Sequence, residues 1–133
     1  ATALAAPNIT PEQLERARRT NEVMRGTLDD FNPRVFTVLN QEFHSALLTG
    51  CHNLRLTDLV HAEWAVLGNL RESTFSFVPG RARESVREHS AILELIEQGA
   101  PPSEIERAVR AHRLATMDAY LIRQHDQASP DLD

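Results

Sequence analysis

The chain has 133 residues, 41% hydrophobic and 25% charged, which suits one soluble globular domain with a sizeable core. Its 14 basic and 19 acidic side chains leave a net charge of −5, which argues against a nucleic-acid-binding module with its usual basic face. Cys51 is the single cysteine, so no internal disulfide can form and a reducing, cytoplasmic compartment fits; no apolar run approaches membrane-spanning length.

The opening ATALAA is apolar but short and lacks a basic flank, so it is no signal peptide. It reads as the tail of a helix whose beginning is missing. Beyond it, prolines and glycines divide the chain into five predicted helices with almost no strand. The first starts at Thr10, with Pro11 at N1 and Gln13 at N3 in a capping-box pattern, and runs to about Leu28. In the second, Asn32 caps, Pro33 takes N1 and the helix ends near Gly50; Phe36, Leu39, Phe43, Leu47 and Leu48 form its apolar face. Asn40 and His44 lie on that same side, four residues apart.

The third predicted helix runs from Asn53 to roughly Phe75 through Leu56, Leu59, Val60, Leu67 and Leu70. Gly68 inside it costs up to about 1 kcal/mol against alanine, so a bend or a close helix approach is expected there. The fourth spans Arg81 to Gln98, with His89 in line with Ile92, Leu93 and Ile96. Ser103 caps the fifth, with Glu106 at N3, and Ile105, Ala108, Val109, His112, Ala115, Thr116 and Ala119 share one face. From about Gln124 the sequence is polar and frayed. The fold class is therefore all-α: an antiparallel bundle of about six helices, the first truncated, forming one domain over residues 1–133.

Three imidazoles and one amide thus face inward from three helical segments. A polar, titratable group aimed at a core needs a partner. Taken singly, His44, His89 or His112 is more readily a core histidine bonded to a carbonyl. Together with Asn40 they point to a shared divalent cation, zinc or nickel fitting best. Three nitrogens and an amide oxygen leave coordination positions open to a ligand. Because Asn40 is neutral, the ion keeps its full charge and should attract small anions, carboxylates above all, while being held less tightly than by an aspartate set.

His52 and His125 lie near helix ends and read as solvated; His61, near Trp64, reads as a surface group. Arg71 could pair with an anionic ligand near the metal, with Ser73 and Thr74 adding hydroxyl donors. Arg81, Arg83 and Arg87 invite the same reading, against the plainer one of helix–helix ion pairs. Glu42 and Glu88 neighbour the candidate ligands but should point away from them, which leaves an enzyme without a general base.

The ordered strings LNQEFHSALLTGCHNLRL, REHSAILELIEQG and AVRAHRLATM resemble the FCD effector-binding domain of GntR-type transcriptional regulators of the FadR/VanR group. The carrying residues are Asn40, the Phe43-His44 pair, Asn53, Glu88-His89 with Ile92, and His112, over about residues 9–120. That resemblance implies a bundle of six or seven helices with a metal held by Asn40, His44, His89 and His112. It also implies a small organic acid as effector, a homodimer, and a winged helix-turn-helix domain upstream through which operator DNA would be contacted. That upstream domain and most of the first effector-domain helix are absent from this sequence, and Asn40 stands where aspartate is commoner. The leading expectation is thus a ligand-sensing regulatory domain and not an enzyme. A three-histidine metalloenzyme and a structural helical dimer with buried histidines are the alternatives.

Overall fold

The computed structural model describes residues 1–128, apart from the side chains of residues 69–73, 77, 79, 127 and 128. Arg71, Ser73 and Leu70 therefore lie outside the described side chains. Six α-helices and one 3-10 turn follow in order, and no strand occurs among the described residues. They are α1 (Thr2–Ala5), a 3-10 turn (Ala6–Asn8), α2 (Pro11–Gly26), α3 (Pro33–Leu48), α4 (Leu54–Phe77), α5 (Pro79–Glu97) and α6 (Pro102–Ala128).

Proline opens α2, α3, α5 and α6, where its missing N–H is one that the helix cannot use and its fixed φ is already helical. Thr10 and Gln13 close the expected capping box: Thr10 N–H donates to Gln13 Oε1 at 2.9 Å and Gln13 N–H to Thr10 Oγ1 at 3.2 Å. Asn32 Oδ1 accepts from the backbone of Arg34 and Val35, and Asn53 Oδ1 from Leu56, so both asparagines cap as their positions suggest. α5 ends in a Schellman turn. Gly99 takes φ +68°, its N–H reaches Ile96 O, and Ala100 N–H reaches Leu95 O.

Short loops fold the helices into an antiparallel bundle in which α2 packs on α3 and α5, α5 on α6, and α4 on α3, α5 and α6. Met24, Phe36, Phe43, Leu47, Phe75, Ile92 and Ile105 fill the core, with Phe36 and Phe75 edge to face at 4.8 Å. A smaller cluster of Leu48, Val60 and Trp64 lies under the start of the chain. The α3 stripe is buried as its period demands: Phe36, Asn40, Phe43, His44 and Leu47 all face in.

Several local expectations need correction. α6 begins at Pro102, held by Pro101 O, so Ser103 sits inside the first turn and is not the cap. The helix continues to Ala128 without fraying at Gln124. Leu59 is 57% exposed, off the buried stripe of α4. At Gly68 no described atom approaches within 4 Å of a built Cβ, so close helix packing does not account for it.

Gly50 is the glycine that the packing requires. A Cβ there would lie 2.6 Å from Ala5 O and 3.0 Å from Asn8 C, both backbone atoms that cannot swing away. Gly50→Ala should lower unfolding stability by about 1–3 kcal/mol. Gly68→Ala should raise it by up to about 1 kcal/mol through helix propensity. Urea denaturation of the two variants reads both signs, and equal midpoints would refute the contrast.

Candidate metal centre

Three helices bring the predicted side chains together. Phe43 and His44 project from α3, His89 from α5 and His112 from α6. Their burial is nearly complete, His89 at 0% exposure and Asn40, His44 and His112 at 4–5%. Phe43 underlies the site, its ring stacked on that of His89 with centroids 3.9 Å apart. Trp64 of α4 adds an apolar wall beside His44 at 6.0 Å.

The histidine nitrogens converge. Nε2 of His112 lies 3.2 Å from Nε2 of His44 and 3.2 Å from Nε2 of His89. One ligand nitrogen from each ring lies within 4.8 Å of the other two. Two nitrogens bound at 2.0–2.1 Å to one ion, at 90–109° to each other, stand roughly 2.9–3.4 Å apart. The observed spacing falls in that interval.

The outer nitrogens decide what those inner ones can do. His89 Nδ1 faces Asn21 Oδ1 at 3.1 Å. The Asn21 amide is fixed from its other end, because its Nδ2 donates to Val86 O at 3.2 Å and to Ser90 Oγ at 3.1 Å. Its oxygen must therefore accept from His89 Nδ1–H. His112 Nδ1 donates to the Glu88 carboxylate, which also takes both terminal nitrogens of Arg81. Arg81 is anchored further by Nε donating to Thr116 Oγ1 at 3.1 Å.

Glu88 is ionised throughout the ordinary pH range. Burial raises its pKa, but the hydrogen bonds from Arg81 and His112 outweigh that and bring it to about 2. With both Nδ1 atoms protonated, His89 Nε2 and His112 Nε2 each present a lone pair to the other. Two acceptors in contact repel, and both rings resist taking a second proton. Burial pushes His89 well below its usual range, with the charges of His112 and Arg81 adding to the effect. Burial lowers His112 as well, and Glu88 restores only part. Asn40 Oδ1 is buried with no hydrogen-bond partner among the described residues. An amide oxygen so placed costs stability unless something accepts its lone pairs. His44, His89 and His112 could thus hold a metal ion by chemistry and by spacing, and the unpartnered Asn40 Oδ1 is an oxygen donor of a kind that such an ion accepts.

Beside this cluster a cavity of about 250 Å³ opens between α3, α4 and α6. Its lining includes Asn40, His44, His112, Thr74, Glu63 and Arg113. Of the three effector candidates named from sequence, Thr74 lines the cavity, while Arg71 and Ser73 fall outside the described side chains. Arg81 is buried and pairs with Glu88 of its own helix, α5, so it is neither on a solvated face nor in a helix–helix ion pair. His52, His61 and His125 are exposed, His61 tilted against Trp64 at 5.6 Å.

Sequence reasoning missed three groups. Glu88 does not point away; its carboxylate reaches across to the outer face of His112, one helix over. Asn21 lies on α2 and contacts the site only through tertiary packing. Arg113 follows His112 directly and was not singled out. One signal was available for Asn21: an asparagine on the inward stripe with Ala17 and Met24.

The family model of the FCD domain matches residues 1–116. No curated protein and no solved structure matches the chain. No helix among the described residues is long and apolar enough to cross a membrane.

Acid should weaken the metal-free fold in two stages. His89 and His112 are neutral when folded but have a usual pKa of 6.5 once exposed, so their contribution is full above about pH 6.5 and declines as the pH falls below it. Glu88, ordinarily 4.5 and here about 2, adds a second loss that begins near pH 4.5. Melting temperatures measured in chelator from pH 8 to pH 3 should stay level above about 6.5 and fall below it; a profile flat to pH 4 would refute the assignment of protons.

Proposed function

The chain belongs to the FCD-domain family of regulatory, ligand-sensing domains, and on that premise we propose that it is the metal-dependent sensor of a cytoplasmic GntR-type transcriptional regulator, responding to a small carboxylic acid. The observation that carries this reading is the pair of lone pairs facing each other at 3.2 Å between His89 Nε2 and His112 Nε2, with both outer nitrogens already donating. Asn40, His44, His89 and His112 would hold a divalent cation, zinc or nickel, to which both lone pairs could be donated. The ion supplies positive charge beside the cavity.

The chain's own residues do the rest. Asn21 and Glu88 hold two rings in the tautomer that aims Nε2 inward. Asn40 contributes oxygen without negative charge, so the site keeps its attraction for an anion entering from the cavity. Phe43 and Trp64 exclude water behind it. The domain binds and does not turn over: Glu88, the carboxylate nearest the cluster, is committed to Arg81 and to the outer nitrogen of His112.

Protein purified without a metal-affinity column should carry about one divalent ion per chain by elemental analysis, and His112→Ala should lose it. Citrate at about 100 times its Kd should add roughly 2.7 kcal/mol of stability to the metal-loaded chain. The same acid should leave the chelated chain unchanged. Equal stabilisation of both forms, or no ion taken up on adding zinc or nickel, would overturn the reading.

A homodimer is the second part of the proposal. Seven of the eleven large exposed apolar side chains lie on α4 and α6: Leu54, Leu59, Val66, Leu114, Met117, Leu121 and Ile122. Pairing through these helices would cover them, and operator DNA would be contacted by a winged helix-turn-helix domain upstream. Sedimentation equilibrium should give twice the chain mass of 14.9 kDa. Val66→Glu with Leu121→Glu should give monomers, and a wild type that is monomeric at 100 µM or more would sink the dimer (on the order of the concentration at which weak pairs still form).

A further inference from the structure

The cavity lining also carries a cation. Arg113 follows His112 on α6, with the two Cα atoms about 3.8 Å apart, and its half-buried side chain lines the same cavity as Asn40 and His44. Arg81, the fully buried arginine, is neutralised by Glu88. Arg113 forms no hydrogen bond or ion pair within 4 Å among the described residues. Only the longer-range attraction of exposed Glu63 offsets the loss of water around it, and burial accordingly lowers its pKa. A guanidinium does not release its proton at ordinary pH, so the cost of burial persists as an unmet demand for an anion. Glu63 is solvent-exposed, and water weakens its hold. A carboxylate inside the cavity can meet the guanidinium fork with two hydrogen bonds.

We propose that Arg113 is a specificity-determining residue that takes a second carboxylate of the effector, so that the domain selects small dicarboxylic acids over monocarboxylic ones. This inference rests on the metal-and-carboxylate reading above. One acid group reaches the Asn40–His44–His112 group, and the other reaches Arg113. The volume of about 250 Å³ lies below the 300–1,000 Å³ usual for drug-sized ligands, which sets the occupant at a few carbons.

Calorimetric titration of the zinc-loaded chain with succinate and with acetate tests it. Succinate should bind about 10–100 times more tightly than acetate, the gain expected of charge-assisted hydrogen bonds. Arg113→Met should remove that preference, weakening succinate far more than acetate. Arg113→Lys, which keeps the charge without the fork, should retain part of it and serves as the readout if Arg113→Met melts early or loses zinc. Equal affinities in the wild type, or a preference that survives in both variants, would overturn the role of Arg113 and leave the metal–carboxylate reading standing. Zinc uptake with no binding of either acid would overturn both. Tighter binding of aspartate that depends on Glu63, read with Glu63→Gln, and not on Arg113 would replace the dicarboxylate by an amino acid and overturn the inference.

Discussion

Two imidazole nitrogens that should repel sit 3.2 Å apart at the centre of this bundle, and the rest of the architecture exists around that contact. His89 Nε2 and His112 Nε2 cannot hydrogen-bond to each other while Asn21 and Glu88 occupy their outer nitrogens. Neither ring can easily relieve the conflict by protonation, since burial opposes a positive charge on both. Each remaining feature tightens the constraint. Arg81 keeps Glu88 ionised, Val86 and Ser90 keep the Asn21 oxygen turned to His89, and Phe43 stacks on the His89 ring so that it cannot rotate out. A protein that merely packed histidines would do better to let one outer nitrogen go unprotonated. The groups held there instead favour a cation.

The supporting groups are drawn from four helices, which explains the order of the fold. Asn21 comes from α2, Asn40 and His44 from α3, Arg81, Glu88 and His89 from α5, His112 from α6. α4 gives neither a candidate ligand nor a supporting group among its described side chains. Its part is to wall the cavity through Glu63, Leu67 and Thr74. α4 and α6 also carry exposed apolar residues, of which Leu114 and Met117 line the cavity itself.

Local chemistry was legible in the sequence wherever it is written within one turn. The Thr10–Gln13 capping box, the Asn32 and Asn53 caps and the prolines at N1 depend on neighbours three residues away or fewer, and the structure contains each of them. The i, i+4 spacing of Asn40 and His44 placed both on the buried face of α3 for the same reason. What escaped depends on a second helix. Glu88 is off the inward stripe of α5, and only the crossing of α6 brings His112 within its reach. Ser103 looked like a cap because hydroxyls cap well, yet Pro101 O already closes that turn. Leu59 fits an apolar period in α4, but a helix walled on one side and apolar on the other has no single stripe to find. Arg113 was overlooked because a charge beside a buried histidine reads as the start of the solvated face.

Sensing requires that a ligand hold one arrangement of the helices better than another. The geometry offers a direct way. An acid held between the Asn40–His44–His112 group and Arg113 would tie α6 to α3 within a cavity that α4 also walls. Differential contact of that kind is what a coupling free energy is made of, typically 1–3 kcal/mol between sites. Because α4 and α6 carry exposed apolar residues, a change in their mutual position alters the surface offered to whatever covers them.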